Sequence, residues 1–204
     1  MVRNLFSEIE EKELIKLIKN LDAREYIYEK NRIIFNNLNS KKEIGIIIDG
    51  TANMEKYDYN GNKTIIEKLE KNSIFGEIFS YYGDLSIIST SKCKVLMIEY
   101  DNLMKNLKNI TLVNNIINIL SNKILELNIR IEILSKRSIK DKLLTYILNL
   151  SKDNPNNICN LPFTYTDLAD YLSIDRSAMM REIKKLKEDG FIKTYGRKIK
   201  LIKY

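Results

Sequence analysis

The stretch VNNIINILSNKILELNIRIEIL, from Val113 to Leu134, decides how the rest of this 204-residue chain is read. Apolar residues fall at Val113, Ile117, Leu120, Ile124, Leu127, Ile131 and Leu134, in alternating steps of four and three. That is the 3.5-residue repeat of a coiled-coil seam. Ile117, Ile124 and Ile131 then occupy position a, and Val113, Leu120, Leu127 and Leu134 position d, a pairing that favours two parallel strands. The seam predicts a parallel homodimer. The alternative, an amphipathic helix packed inside one chain, drifts at 3.6 residues instead of holding 3.5. Leu112, Ile116, Ile119, Leu125, Ile129 and Ile133 make the other faces apolar too, so the helix is expected to be covered on more than one side. Position g carries Lys123, Arg130 and Arg137 and position e carries Ser121, Asn128 and Ser135, so interhelical ion pairs do not set the orientation.

The composition around this helix, 44% hydrophobic and 30% charged, suits a globular chain of one or two domains. The N-terminus, Met1 to Glu8, has no apolar signal region, and no run of about 18 apolar residues occurs, so a cytoplasmic protein without a membrane partner is expected. There is no histidine and there are two cysteines. Zinc and iron–sulfur sites needing three or four Cys/His ligands, His-based triads and His-ligated haem are thereby excluded. No cofactor and no metal are expected, and no nucleophile–base pair can be assembled for an enzyme. Cys93 reads as part of a buried strand and Cys159 as part of a loop, where a thiol sensor is a minor alternative.

The net charge is +7. From Ser138 to Tyr204 there are 13 Lys/Arg against 8 Asp/Glu, so the last third is the basic part. A compact basic segment is the electrostatic footprint of nucleic-acid binding.

Upstream of the long helix, Ser7-Glu8-Ile9-Glu10 reads as a capping box for a short helix ending near Asn20. Extended segments follow at Tyr26 to Tyr28, Ile33 to Phe35, Glu43 to Ile48, Ala52 to Tyr57, Thr64 to Leu69 and Ser86 to Glu99. Asn60-Gly61 predicts a two-residue type I′ hairpin. Many short strands at regular spacing predict a β-roll of jelly-roll type. Downstream, Ser138-Ile139-Lys140-Asp141 caps a new helix, and Ser135 to Ser138 is the expected hinge. Ser151 to Asn160, with Pro155, reads as a polar loop. Thr164 caps a short helix carrying Leu168 and Leu172, and Asp175 caps a second one carrying Met179, Ile183 and Leu186 as far as Gly190. Two short helices joined by so brief a turn make a helix-turn-helix. Phe191 to Tyr204 reads as a hairpin around Tyr195-Gly196, a wing. The expected class is α+β: a β-roll over 1–108, a dimerisation helix and hinge over 109–137, and a winged helix-turn-helix over 138–204.

In such a module the second helix enters the major groove and its N-terminal residues reach base edges. These are Arg176, Ser177, Met180 and Arg181, and an arginine fork matches O6 and N7 of guanine together. Thr164, Tyr165, Lys184, Lys185, Arg197 and Lys198 are the expected phosphate contacts. The 22 residues of the seam span about 33 Å, close to the roughly 34 Å between successive major grooves. The expected partners are a palindromic operator in double-stranded DNA and a second copy of the chain.

This order of a β-roll, a long helix and a basic winged helix resembles the Crp/Fnr family of bacterial transcription regulators. Ile47-Ile48-Asp49-Gly50 and Ile74-Phe75-Gly76-Glu77 look like the family's cyclic-nucleotide-binding-like domain; Asp175 to Arg181, Leu186 and Gly190-Phe191-Ile192 look like its recognition helix and the start of its wing. The resemblance implies an allosteric regulator, with Phe75, Gly76, Glu77, Leu127 and Asn128 at the effector pocket and RNA polymerase as a partner if it activates. In cyclic AMP-binding members an Arg-Ser or Arg-Thr follows the Gly-Glu and holds the phosphate. Here the corresponding stretch, Gly83-Asp84-Leu85-Ser86-Ile87, has no arginine, and the adenine-reading hydroxyl pair is replaced by Leu127 and Asn128. A buried phosphate beside Glu77 and Asp84 would be unfavourable, so the effector is expected to be something other than cyclic AMP. The competing reading is a ligand-binding or protein-interaction module whose winged helix does not bind DNA.

Overall fold

The computed structural model describes residues 5–38, 41–79, 84–152, 154 and 156–203; Gly83, Pro155, Tyr204 and the N-terminal four residues, on which readings above touch, lie outside them. Two compact units divide within the long helix, the first ending at Lys123 and the second beginning at Ile124.

The first unit opens with α1 (Glu11–Asn20) and continues through β1 (Arg24–Tyr28), β2 (Ile33–Asn36), β3 (Glu43–Asp49), β4 (Ala52–Tyr57), β5 (Lys63–Leu69) and β6 (Ile74–Gly76). A 3-10 turn at Glu77–Phe79 leads on to β7 (Ser86–Ser89), β8 (Cys93–Glu99), α2 (Tyr100–Lys105) and the start of α3 (Ile110–Ser135). The strands form two antiparallel sheets, ordered β1-β8-β3-β6 and β2-β7-β4-β5. Between them lie Phe35, Ile47, Met54, Leu69, Phe75, Ile87, Val95 and Met97. On the other face of the first sheet, Ile44, Ile46, Leu96 and Ile98 pack under Leu14, Leu17, Leu103 and Leu112 from the helices. That sheet is covered on both faces, which is why β3 and β8 read as apolar runs without alternation. The Phe75 ring lies across Gly45, its partner in the β3–β6 ladder; a Cβ at Gly45 would come within 2.0 Å of the ring.

Four local expectations need correction. The capping box at Ser7 does not form: Glu8 takes φ 61°, the Asn115 amide donates to the Leu5 and Ser7 carbonyls, and α1 starts later behind Glu10, with no side-chain cap. Burial of Leu5 and Phe6 holds that segment as a turn. The Ser86 to Glu99 run is two strands, because the Thr90 and Ser91 amides donate to the Thr51 carbonyl and the chain crosses there from one sheet to the other. The loop after β4 spans five residues and is not type I′. Only Gly61 takes positive φ, and the Asp58 carboxylate accepts from the amides of Asn60 and Asn62. The fourth correction falls in the second unit: Ile158–Asn160 is a strand, β9, where a loop was expected.

The second unit contains the end of α3, α4 (Ile139–Ser151), β9, α5 (Tyr165–Leu172), α6 (Arg176–Glu188), β10 (Ile192–Tyr195) and β11 (Lys198–Leu201). The sheet order is β10-β11-β9, with Cys159 opposite Ile199. Cys159 is therefore buried in a sheet, and burial raises its thiol pKa. Cys93, buried in β8 as read from sequence, is raised for the same reason.

Along α3 the heptad row is open to solvent in the single chain. Ile117, Leu127 and especially Ile124 (60% exposed) and Ile131 (64% exposed) have no cover, while Val113, Leu120 and Leu134 are half-buried. Of the other apolar positions, Leu112 joins the first unit's core, with Ile116 and Ile119 against it, and Ile133 is buried in the second. Leu125 is not covered; it lies exposed beside the heptad row.

Candidate nucleic-acid interface

The second unit aims α6 through three local devices. The Thr164 hydroxyl accepts from the Asp167 amide at 3.1 Å, which satisfies one of the unpaired donors that begin α5. Ser173, in left-handed conformation (φ 53°, ψ 54°), then ends α5, with the Ile174 amide bonded back to the Ala169 carbonyl. A polar residue tolerates this conformation at modest cost. Asp175 caps α6 by accepting from the Ala178 amide at 2.8 Å. Met179, Ile183 and Leu186 fix the buried face of α6.

The opposite face carries Arg176, Ser177, Met180, Arg181 and Lys184, all exposed, at the i, i+1, i+4, i+5, i+8 spacing of one helix side. Among the described residues Arg176 and Arg181 make no ion pair, so their guanidinium forks are open. Lys185 is exposed, and Lys184 lies 3.8 Å from Glu188, an exposed pair of little strength.

The wing is held to the start of α5. Its turn is Gly196-Arg197, and the Tyr165 hydroxyl donates to the Gly196 carbonyl at 3.0 Å. Burial raises the Tyr165 pKa, which keeps that donor protonated. Tyr165 thus braces the wing, and the Thr164 hydroxyl is engaged with Asp167, its proton directed to the carboxylate at 2.7 Å. Of the two, only the backbone amides at the start of α5 are left to face a phosphate. Arg197 and Lys198 are exposed, as expected of phosphate contacts. Lys193 and Lys200 lie directly opposite each other in the β10–β11 ladder, a like-charge pair that a polyanion would relieve.

Sequence reasoning passed over Lys193 and Tyr195. Period-2 alternation with buried Ile192 turns both outward, and that register was legible once Ile199 and Leu201 had been placed inward.

The expected effector residues belong to two different units. Phe75 is fully buried, Gly76 lies against the Glu43 carbonyl and Glu77 opens the 3-10 turn, whereas Leu127 and Asn128 are exposed on α3 within the second unit. The sequence also missed a cation in the first unit: Lys123 is ion-paired with Glu67 of β5 and lies 5.6 Å from the Phe79 ring centroid. A cleft of about 410 Å³ opens elsewhere on the β-roll, lined by Tyr26, Tyr28, Ile33, Phe35, Glu43 and Met97 among others. Among the described residues no three His, Cys, Asp or Glu converge as metal ligands, and no helix is long and apolar enough to cross a membrane.

Residues 26–109 match the family described as the cyclic nucleotide-binding domain, and residues 141–204 match the Crp-like helix-turn-helix domain. Over 183 residues the chain is 29% identical to a Porphyra purpurea protein described as an HTH-type transcriptional regulator, ycf28, covering 84% of this chain and 75% of that one. Among solved structures it resembles a CooA mutant of Carboxydothermus hydrogenoformans (TM-score 0.79, 16% identity, 91% of this chain and 85% of that one). It also resembles FixK2 of Bradyrhizobium japonicum (TM-score 0.70, 17% identity, 89% and 93%). At such identities the two structures speak for the fold alone.

Proposed function

The chain belongs to the Crp/Fnr family of transcription regulators, and we propose that it works as a homodimer reading a palindromic operator in double-stranded DNA. It is a DNA-binding regulator and not an enzyme. The observation that carries the finer reading is the open row Arg176, Ser177, Met180 and Arg181 at the N-terminal end of α6. In the proposed complex Arg176 and Arg181 read guanine edges, and Lys184, Lys185, Arg197 and Lys198 hold phosphates. The α5 amides, which Thr164 and Tyr165 position, hold phosphate as well.

The second copy covers the heptad row from Val113 to Leu134. An uncovered row of Ile and Leu at 3.5-residue spacing is complementary to its own twofold mate, and the a and d residues suit a parallel pair. In this reading the β-roll is the control domain, and its effector is a small molecule other than cyclic AMP. No arginine occurs between Arg32 and Arg130, so the segment from Glu77 to Ile87 brings no guanidinium of its own to a cyclic phosphate near Glu77 and Asp84. As an activator the protein would have RNA polymerase as a further partner. Its place of action is the cytoplasm.

The decisive experiment selects bound sequences from random duplexes with purified full-length protein, with and without cell extract. Enrichment of a palindrome supports the operator reading, and an extract-dependent change in the yield supports an effector. If neither condition enriches any sequence, the reading fails.

A further inference from the structure

We propose that Arg130 is a positioning residue that clamps the DNA-binding module onto the last turns of α3. In the heptad register Arg130 takes position g, where a side chain ordinarily flanks the partner helix. Its guanidinium carbon lies instead 4.4 Å from the centroid of the Tyr171 ring, near the end of α5. Tyr171 in turn stacks on buried Phe163 at 4.8 Å and leans on buried Tyr146 at 5.7 Å, so the ring is fixed from behind. One turn along α3, on the same side, Ile133 is 2% exposed. All these residues belong to the second unit, which begins at Ile124.

The contact therefore bridges the break between α3 and α4, residues 136–138, which lies within the Ser135 to Ser138 stretch that the sequence marks as the hinge. Tyr171 is also two residues before Ser173, whose left-handed turn sets the direction of α6. A cation held over a ring that is packed on its other side resists rotation about the break, because turning the module pulls the ring from under the charge. The last three turns of α3 and the module then move as one body, and the break at 136–138 is not a free swivel.

This inference deepens the operator reading, and one of its two readouts does not depend on DNA. Trypsin can cut after Lys136 and Arg137. In full-length protein, Arg130→Ala and Tyr171→Leu are expected to speed cleavage at those two bonds by about tenfold, with other sites unchanged. Arg130→Lys and Tyr171→Phe, which keep a cation and a ring, are expected to stay within about twofold of wild type. Where an operator has been selected, Arg130→Ala should also lower the ratio of specific to non-specific affinity by about fivefold to tenfold while leaving the salt slope unchanged, since no phosphate contact is lost. Wild-type cleavage in Arg130→Ala overturns the clamp, as does acceleration spread evenly over all lysines, which would mark general destabilisation. If wild type binds no operator, the functional reading fails while the cleavage pattern still decides the clamp.

Discussion

Arg176 and Arg181 differ from Lys184 and Lys185 in what they can do with a duplex, and their removal should separate the two roles. Arg176→Ala or Arg181→Ala should each cost about 1–3 kcal/mol of discrimination at one base pair of the half-site, measured by competition between operator variants. Lys185→Ala should instead weaken binding to all sequences alike and reduce the salt slope by about one. Asp58 belongs to a different kind of site. Its hydrogen bonds with the Asn62 side chain and with loop amides lower its pKa. The folded carboxyl lies below its unfolded value, so the Asp58 loop is favoured above the unfolded value and loosens as the pH falls through the folded one. The Gly61 and Asn62 amide signals should report this on acid titration; pH-independent signals would show that the carboxylate does not hold the loop.

Elements carry a second set of expectations. Ile124 lies in the open row of α3, so Ile124→Glu should leave the fold of the single chain intact and convert dimer to monomer in sedimentation analysis. A dimer that survives would remove the seam from the assembly. In β3 the opposite holds, since Gly45 lies beneath the Phe75 ring with no room for a methyl group. Gly45→Ala should lower stability by about 1–3 kcal/mol, read from denaturant midpoints, through forced displacement of that ring. The elements most legible in the sequence were those whose own residues close them: Ser138, Thr164 and Asp175 each accept the helix amide that their spacing implies. Ser7 has the same local pattern and caps nothing, because burial of Leu5 and Phe6 and two bonds from Asn115 on α3 outweigh a cap of about 1 kcal/mol. Strand β9 was missed because three residues are too few to show a period, and only the ladder to β11 makes them a strand.

At the scale of the molecule, two units share one helix, and the basic unit is the one that carries the open arginine row. Burial of Cys93 and Cys159 and the upward shift of both thiols predict that an alkylating reagent at neutral pH modifies neither in native protein and both after denaturation. Native modification of Cys159 would reinstate it as a sensor. The candidate effector site is the least legible part. Phe75-Gly76-Glu77 could be matched to a family segment by sequence, but whether that segment faces a ligand depends on what closes over it. The residues that bear on this, Lys123 with Glu67 and the buried Phe75 ring, come from segments far apart in the chain.

By itself the sequence determined the repeat of α3, the positions of three helix caps, the exposed and buried faces of α6 and the basic character of the last third. These are local or additive properties, set by spacing along the chain. Tertiary structure alone decided the switch between sheets at Thr90, the third strand of the wing and the direction of Arg130. Each of these depends on a partner dozens of residues away, Thr51, Ile199 or Tyr171, and no periodicity within one segment encodes which distant surface it will meet. The helix from Val113 to Leu134 belongs to both accounts. Its seam is written in its own repeat, whereas its grip on the DNA-binding module depends on an aromatic stack that forms only when the chain has folded.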